Sequence, residues 1–188
     1  MGSRVRTLLV LVLLSLSTFT GCLGSEKDSV SGPRFPAFNQ NSDTGQNISL
    51  ADYKGSPFIV VFSAEWCTNP CQPSMHAINE TLLAPPAIVI STDPADKPQG
   101  VSLSEWKQSA DSYDDERDDN GTVTDPRQTL DYRFIKGADI ASELDVQAPG
   151  TLMFIDADGF VIVTHIGILD DGATITSYWT EVGGITAA

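Results

Sequence analysis

Cysteine, histidine and positive charge are all scarce in this chain of 188 residues, which has 3 cysteines, 2 histidines and 11 lysines and arginines against 25 aspartates and glutamates. Three cysteines allow one pair and leave one to be accounted for. The acid excess gives a formal net charge of −14. Such a balance repels phosphate backbones and anionic headgroups, so nucleic acid is excluded as a partner, and any membrane link has to be covalent lipid rather than a basic surface patch. A membrane-spanning run is lacking too. The apolar stretch Leu8 to Leu14, preceded by Arg4 and Arg6, is too short to cross a bilayer comfortably and fits a cleaved secretion leader.

That leader breaks at Thr20-Gly21-Cys22. The break resembles a prokaryotic lipoprotein box, in which the cysteine is lipidated and becomes the new N-terminus; an ordinary signal peptide with a free Cys22 thiol is the alternative. On the lipoprotein reading residues 1–21 are removed, taking Arg4 and Arg6 and leaving the mature chain more acidic still. Residues 22–34 are then a lipidated Cys22 and a polar tether carrying Gly32-Pro33. Residues 35–188 are the right length for one domain with a sizeable core. The protein is expected on the extracytoplasmic face of the cell membrane.

With Cys22 consumed by the anchor, Cys67 and Cys71 remain as the pair, in the run Phe62-Ser63-Ala64-Glu65-Trp66-Cys67-Thr68-Asn69-Pro70-Cys71. Pro57 to Phe62 and Ala87 to Ile90 are continuous apolar runs, the pattern of strands covered on both faces. Between them Met75, Ile78 and Leu82 fall on one helical face, giving a strand-helix-strand unit. Ser102 and Glu105 have the form of a capping box for a helix from about Leu103 toward Tyr113. The acidic stretch from Asp111 to Pro126 reads as a solvated loop. Ala138 to Leu144 has helical character, Asp156-Ala157-Asp158-Gly159 marks a hairpin, and Ala173 to Val182 is a closing helix. The order implies an α/β domain with a central mixed β-sheet flanked by helices.

These residues together resemble the thioredoxin superfamily, in particular its extracytoplasmic TlpA-like and redoxin branch. The resemblance is carried by Phe35-Pro36-Ala37-Phe38, Tyr53-Lys54-Gly55, Ala64-Glu65-Trp66-Cys67, and, far downstream, Val146-Gln147-Ala148-Pro149-Gly150-Thr151 leading into Phe154-Ile155-Asp156-Ala157-Asp158-Gly159. It implies a thioredoxin-like fold and thiol-disulfide exchange on secreted or membrane protein thiols, with Cys67 attacking, Cys71 resolving, and Pro149 a cis-proline beside them. It also implies that Trp66, Ala148 and Pro149 form the substrate-docking face, that a membrane electron donor or acceptor resets the pair, and that no cofactor is needed beyond the redox-active disulfide.

Several residues depart from the family pattern. Three residues rather than two separate the cysteines, and Asn69-Pro70 and Pro73 predict a helix that starts near Cys71 with Pro73 in its first turn. Cys67 is then expected in a looser loop, partly exposed, with a weaker hold from the helix dipole. The family's buried acid is replaced by Val61, leaving Glu65 as the candidate for proton transfer, with an exposed surface carboxylate as its other reading. Gly150 stands where threonine usually follows the proline.

The wider spacing is also similar to Sco-type copper chaperones, in which a cysteine pair and a distant histidine bind copper. No histidine lies near Gln147 to Gly150, His76 should point away from the pair along its helix, and His165 ends a late strand. Copper is thus the alternative cofactor on spacing, and a non-catalytic binding lipoprotein is a third reading. A bridge this short would constrain the unfolded chain little, which favours a functional role for the pair over a structural one.

Overall fold

The computed structural model describes residues 32–126 and 129–186, all within one compact unit, Ser31–Ala188. The leader and the lipidation assignment at Cys22 lie outside the described residues. In chain order the elements are strands β1 (Asn39–Asn41), β2 (Asn47–Ser49) and β3 (Phe58–Ser63), helix α1 (Cys71–Leu82), β4 (Ala87–Ser91), and α2 (Leu103–Asp111). There follow β5 (Glu116–Arg117), β6 (Val123–Asp125), β7 (Arg133–Lys136), α3 (Ala138–Glu143), β8 (Thr151–Ile155), β9 (Val161–Ile166) and α4 (Gly172–Glu181). No helix among the described residues is long and apolar enough to cross a membrane.

Five strands form a mixed sheet in the order β7-β4-β3-β8-β9, with β3, β4 and β7 mutually parallel and β8 antiparallel to β3 and β9. Every residue of β3 is buried, because neighbours pair along both edges, Val61 facing Val89 on one side and Leu152 on the other, and layers cover both faces. Alternation sorts its side chains. Ile59 and Val61 join Met75, Ile78, Trp106, Ile175 and Trp179 under α1, α2 and α4, whereas Phe58, Val60 and Phe62 meet Phe35, Ile140 and Ile155 on the opposite face. This is why the run shows no polar alternation in sequence.

Local signals set most boundaries. At the start of α2 the Glu105 N–H donates to Ser102 Oγ at 3.3 Å while Ser102 N–H donates to Glu105 Oε2 at 2.9 Å, completing the capping box. Asp171 caps α4 by accepting from Thr174 N–H at 2.8 Å. The acidic tract is more ordered than the expected open loop: β5 and β6 pair as an exposed hairpin, and Asp118 Oδ1 accepts from the Asn120 and Thr122 amides. Strand β7 and the β1–β2 pair carry no sequence signal of comparable strength, since β7 offers only Phe134 and Ile135 between two cationic residues.

Trp106 joins the sheet to α2. Its indole is 1% exposed and packs edge-on against Phe134 with ring centroids 4.7 Å apart. Trp106→Ala is expected to lower unfolding free energy by about 3–5 kcal/mol, read as a shift in the urea midpoint at unchanged slope.

Candidate functional site

The site is built where the central strands end. Leaving β3, the chain passes through Ala64 to Pro70 and enters α1 at Cys71, with Cys67 N–H donating to Ala64 O at 2.9 Å and Gln72 N–H to Thr68 O at 3.0 Å. Cys67 and Cys71 form a disulfide across this loop, their Cα atoms 5.9 Å apart. The helix does begin at Cys71, and Pro73 sits in its first turn. Cys67 departs from expectation: it is 5% exposed and Cys71 1%, because both sulfurs pack into the layer formed by Ile59, Val61, Met75 and Leu152. The loop is wider than a two-residue spacing yet folded inward.

The helix start also offers few donors to a thiolate. Pro70 and Pro73 lack an N–H, and the Gln72 N–H is taken by Thr68 O. The Cys71 amide is thereby the first-turn donor left without a backbone acceptor, so the dipole acts on the sulfurs through a thinned set of hydrogen bonds.

Three contacts fix the disulfide loop. Ser74, fully buried, donates its hydroxyl to Pro70 O at 2.9 Å and accepts from Leu169 N–H at 2.9 Å, tying the loop to the β9–α4 connection. The Pro70 ring lies against Gly150, where a Cβ would meet Pro70 Cγ at 2.7 Å. Gly150 has φ +92° and donates its N–H to Phe62 O at 2.8 Å. The cis peptide bond is Asn69-Pro70, and Pro149 is trans, contrary to the sequence expectation. Gly150 turns the chain in left-handed backbone so that it rejoins β3 directly, and the proline ring that presses on this point comes from the cysteine loop.

Trp66, Ala148 and Pro149, expected to dock substrate, line one groove of about 590 Å³ together with Asp93, Pro94 and Val146. Trp66 is 49% exposed and its indole N–H donates to Asp93 Oδ2 at 3.2 Å. The Ala95 amide foremost, then the Trp66 indole, hold the Asp93 carboxyl below its usual range. A larger cleft of about 660 Å³ opens at the other end of the sheet, lined by Arg34, Phe38, Tyr53, Phe58 and Asp158. Burial foremost, then Asp52, pushes the Tyr53 phenol up to about 12 against an opposing Arg133. Neither cleft is lined by a cysteine or histidine, but the smaller groove is lined by Trp66, the residue that directly precedes Cys67, and we place the chemistry there.

Glu65 is not an exposed carboxylate. Its side chain is 0% exposed, the residue's remaining exposure being main chain, with Oε1 2.7 Å from Lys136 Nζ and Oε2 accepting from Ser91 Oγ at 2.8 Å. Alternation along β4 and β7 puts Ser91 and Lys136 on the same sheet face as Val89 and Phe134, the face against which the sulfurs pack. Neither Ser91 nor Lys136 stood out in the sequence, and Ser74 carried no signal either.

The histidines lie elsewhere. His76 is buried, with Nε2 2.8 Å from Ala110 O and Nδ1 3.1 Å from Asp114 Oδ2, so both ring nitrogens are engaged on the α2 side of α1. His165 Nε2 lies 2.9 Å from Ile168 O. No group of three or more cysteine, histidine or carboxylate residues among those described converges as a metal site. These donors do not fit the copper set that the spacing suggested.

Comparison with known proteins places the chain. The family model described as AhpC/TSA matches residues 31–164. A search of curated proteins found no match. Among solved structures, thio-disulfide isomerase from Thermus thermophilus is similar at 19% identity and TM-score 0.57, covering 82% of this chain and 98% of its own. The exposed lipoprotein thioredoxin Etrx1 from Streptococcus pneumoniae is similar at 17% identity and TM-score 0.55, covering 77% and 99%. BsSco, a member of the Sco family of cytochrome c oxidase assembly proteins, is similar at 17% identity and TM-score 0.56, covering 85% and 98%. At these identities the likeness is one of fold, and it is the thioredoxin-like fold expected from the sequence.

Gly150→Ala tests the seating of the loop. Left-handed backbone and the Pro70 contact both oppose a Cβ there, so a loss of about 1–3 kcal/mol in stability is expected by urea titration of the oxidised protein.

Proposed function

Because the chain belongs to the AhpC/TSA family, with a thiol-disulfide oxidoreductase fold and a disulfide between Cys67 and Cys71, we propose that it exchanges disulfides with other secreted proteins at the outer face of the cell membrane. The observation that carries this reading is the position of the disulfide: it closes at the end of the central strand and the start of α1, beside a groove lined by Trp66, Ala148 and Pro149. A staple so short in sequence adds little stability, whereas a vicinal dithiol at this point can cycle.

In the reducing direction the Cys67 thiolate attacks one sulfur of a client disulfide. A Cys67–client bond forms and the other client sulfur leaves as a thiolate, taking up a proton. Cys71, giving up its own proton, then attacks Cys67 Sγ, which restores the Cys67–Cys71 bond and frees the second client thiol. Counting the proton that Cys67 released on ionising, two electrons and two protons pass to the client, and the reverse sequence oxidises a client dithiol. Cys67 is assigned the attack because it is the more exposed residue of the two and lies in the loop, and Cys71 the resolution because it is held in the first turn of α1.

Glu65, paired with Lys136 beneath the same face, is assigned the handling of the proton, and its burial supports a site role over a surface one. A membrane electron donor or acceptor resets the pair. The lipid anchor at Cys22 rests on the leader pattern, and the structural relative from Streptococcus pneumoniae, described as an exposed lipoprotein, agrees with it.

Two measurements test these roles. Cys67→Ser should abolish turnover, and Cys71→Ser should trap a mixed disulfide through Cys67, seen as a client-sized mass increase lost on reduction; trapping through Cys71 in Cys67→Ser would reverse the assignment. Glu65→Gln should shift the pH profile of alkylation of the reduced dithiol, and an unchanged profile would reduce Glu65 to a structural partner of Lys136.

A further inference from the structure

Exchange chemistry needs two sulfurs and an opening, yet the surface around this opening is furnished well beyond that. Ile166 is 78% exposed and Ile168 45%, and both flank Gly167, whose N–H donates to Gly150 O at 2.9 Å. Gly150 in turn lies under Pro70 of the cysteine loop, and Leu169 N–H reaches Ser74 Oγ, the hydroxyl that holds Pro70 O. His165 Nε2 bonds Ile168 O at 2.9 Å. The turn is pinned on three sides, so the two isoleucines are held outward beside the dithiol by fixed structure.

Beneath Ile166 an apolar groove of about 240 Å³ is lined by Leu144, Val146, Ala148, Met153 and Val161. It shares Val146 and Ala148 with the groove that begins at Trp66. The two grooves flank the connection from α3 to β8, which lines both, with Trp66 in one and Ile166 in the other. Carboxylates line and edge them: Asp93 and Asp145 in the grooves, and exposed Asp170 beyond the turn. In the adjoining cleft Asp96 and Asp139 add two more, and one cation lies among them, Lys136, which pairs with Glu65 and also acts on Asp93.

We propose that these adjoining grooves together are a docking surface for a client polypeptide segment that carries an apolar residue beside its cysteine and basic residues on its flanks. An apolar centre inside a charged rim is the usual anatomy of a protein-binding patch, and the sign of the rim names the partner. A second copy of the chain is disfavoured by the same rule, since it would bring its own acidic rim against this one at a net charge of −14. An anionic membrane surface is repelled likewise. The inference rests on the exchange reading and adds to it the class of client.

The test uses the full chain, reduced and freed of reductant, against synthetic peptides closed by one disulfide. Each peptide carries leucine or glycine beside a cysteine, and lysine or glutamate on both flanks; hydroxyethyl disulfide, small and uncharged, is the reference. Electrons pass from the Cys67/Cys71 dithiol to the peptide disulfide, and the peptide dithiol is counted by chromatography. The lysine-flanked leucine peptide should react about ten times faster than its glutamate counterpart at low ionic strength, the ratio falling to about two or less in 0.5 M salt. Leucine should outrun glycine by about five-fold, and the paired change Ile166→Ser with Ile168→Ser should bring that ratio toward one, while Val123→Ser on the distant β5–β6 hairpin should leave it intact.

Failure to reduce hydroxyethyl disulfide would overturn the exchange reading itself. Normal reduction of that reference with equal rates for all four peptides would overturn the docking surface alone. A lysine preference that persists undiminished in 0.5 M salt would overturn the electrostatic rim as its origin.

Discussion

The structure hangs on the complete enclosure of β3. With neighbours hydrogen-bonded along both edges and apolar layers on both faces, this strand has no freedom to shift register, because a one-residue slip would exchange Ile59 and Val61 for Val60 and Phe62 against the wrong layers. Everything chemical is then placed relative to its C-terminal end. Phe62 O receives the Gly150 N–H, Ser63 O receives the Thr92 N–H and hydroxyl, and the cysteine loop leaves directly afterward. The rigidity of the sheet is what lets a five-residue disulfide loop keep a defined relation to the groove beside it.

Charge is distributed with the same economy. The chain is strongly acidic, yet its fully enclosed carboxylate side chain at Glu65 is met by Lys136, and the buried imidazole of His76 faces Asp114. Removing either member of the Glu65–Lys136 pair would strand its partner in a poorly hydrated site, so the pair has to be treated as one unit. The uncompensated acids are instead displayed at the rim, where water solvates them and where a partner of opposite sign can meet them. Burial and charge thus separate two roles: the enclosed Glu65 carboxylate is paired with Lys136, and exposed carboxylates edge the grooves.

Much of this was legible in sequence wherever the signal was local. The apolar runs at Phe58 to Phe62 and Ala87 to Ile90, the Ser102–Glu105 capping box, the start of α1 near Cys71 and the Asp-Gly hairpin all rest on contacts within a few residues, and they stand as read. What escaped depends on distant partners. Strand β7 is four residues whose strand character comes from pairing with β4, and the burial of Glu65 depends on Ser91 and Lys136, contributed by two other strands. The burial of Cys67 could not be inferred from a loop's expected looseness, because it follows from packing against Ile59 and Met75.

The two departures from the family pattern, a third residue between the cysteines and a glycine after Pro149, look independent in sequence because some eighty residues separate them. In space they are one feature. The ring of Pro70, part of the enlarged loop, occupies the place that a side chain at position 150 would fill, and glycine at that position both clears the space and adopts the left-handed backbone that returns the chain to Phe62. A residue with a Cβ after Pro149 would push the loop outward, away from Ser74 and the layer that buries the sulfurs. The enlarged loop therefore requires the glycine, and a chain that kept the loop with a side chain at position 150 would lose the seating of its disulfide.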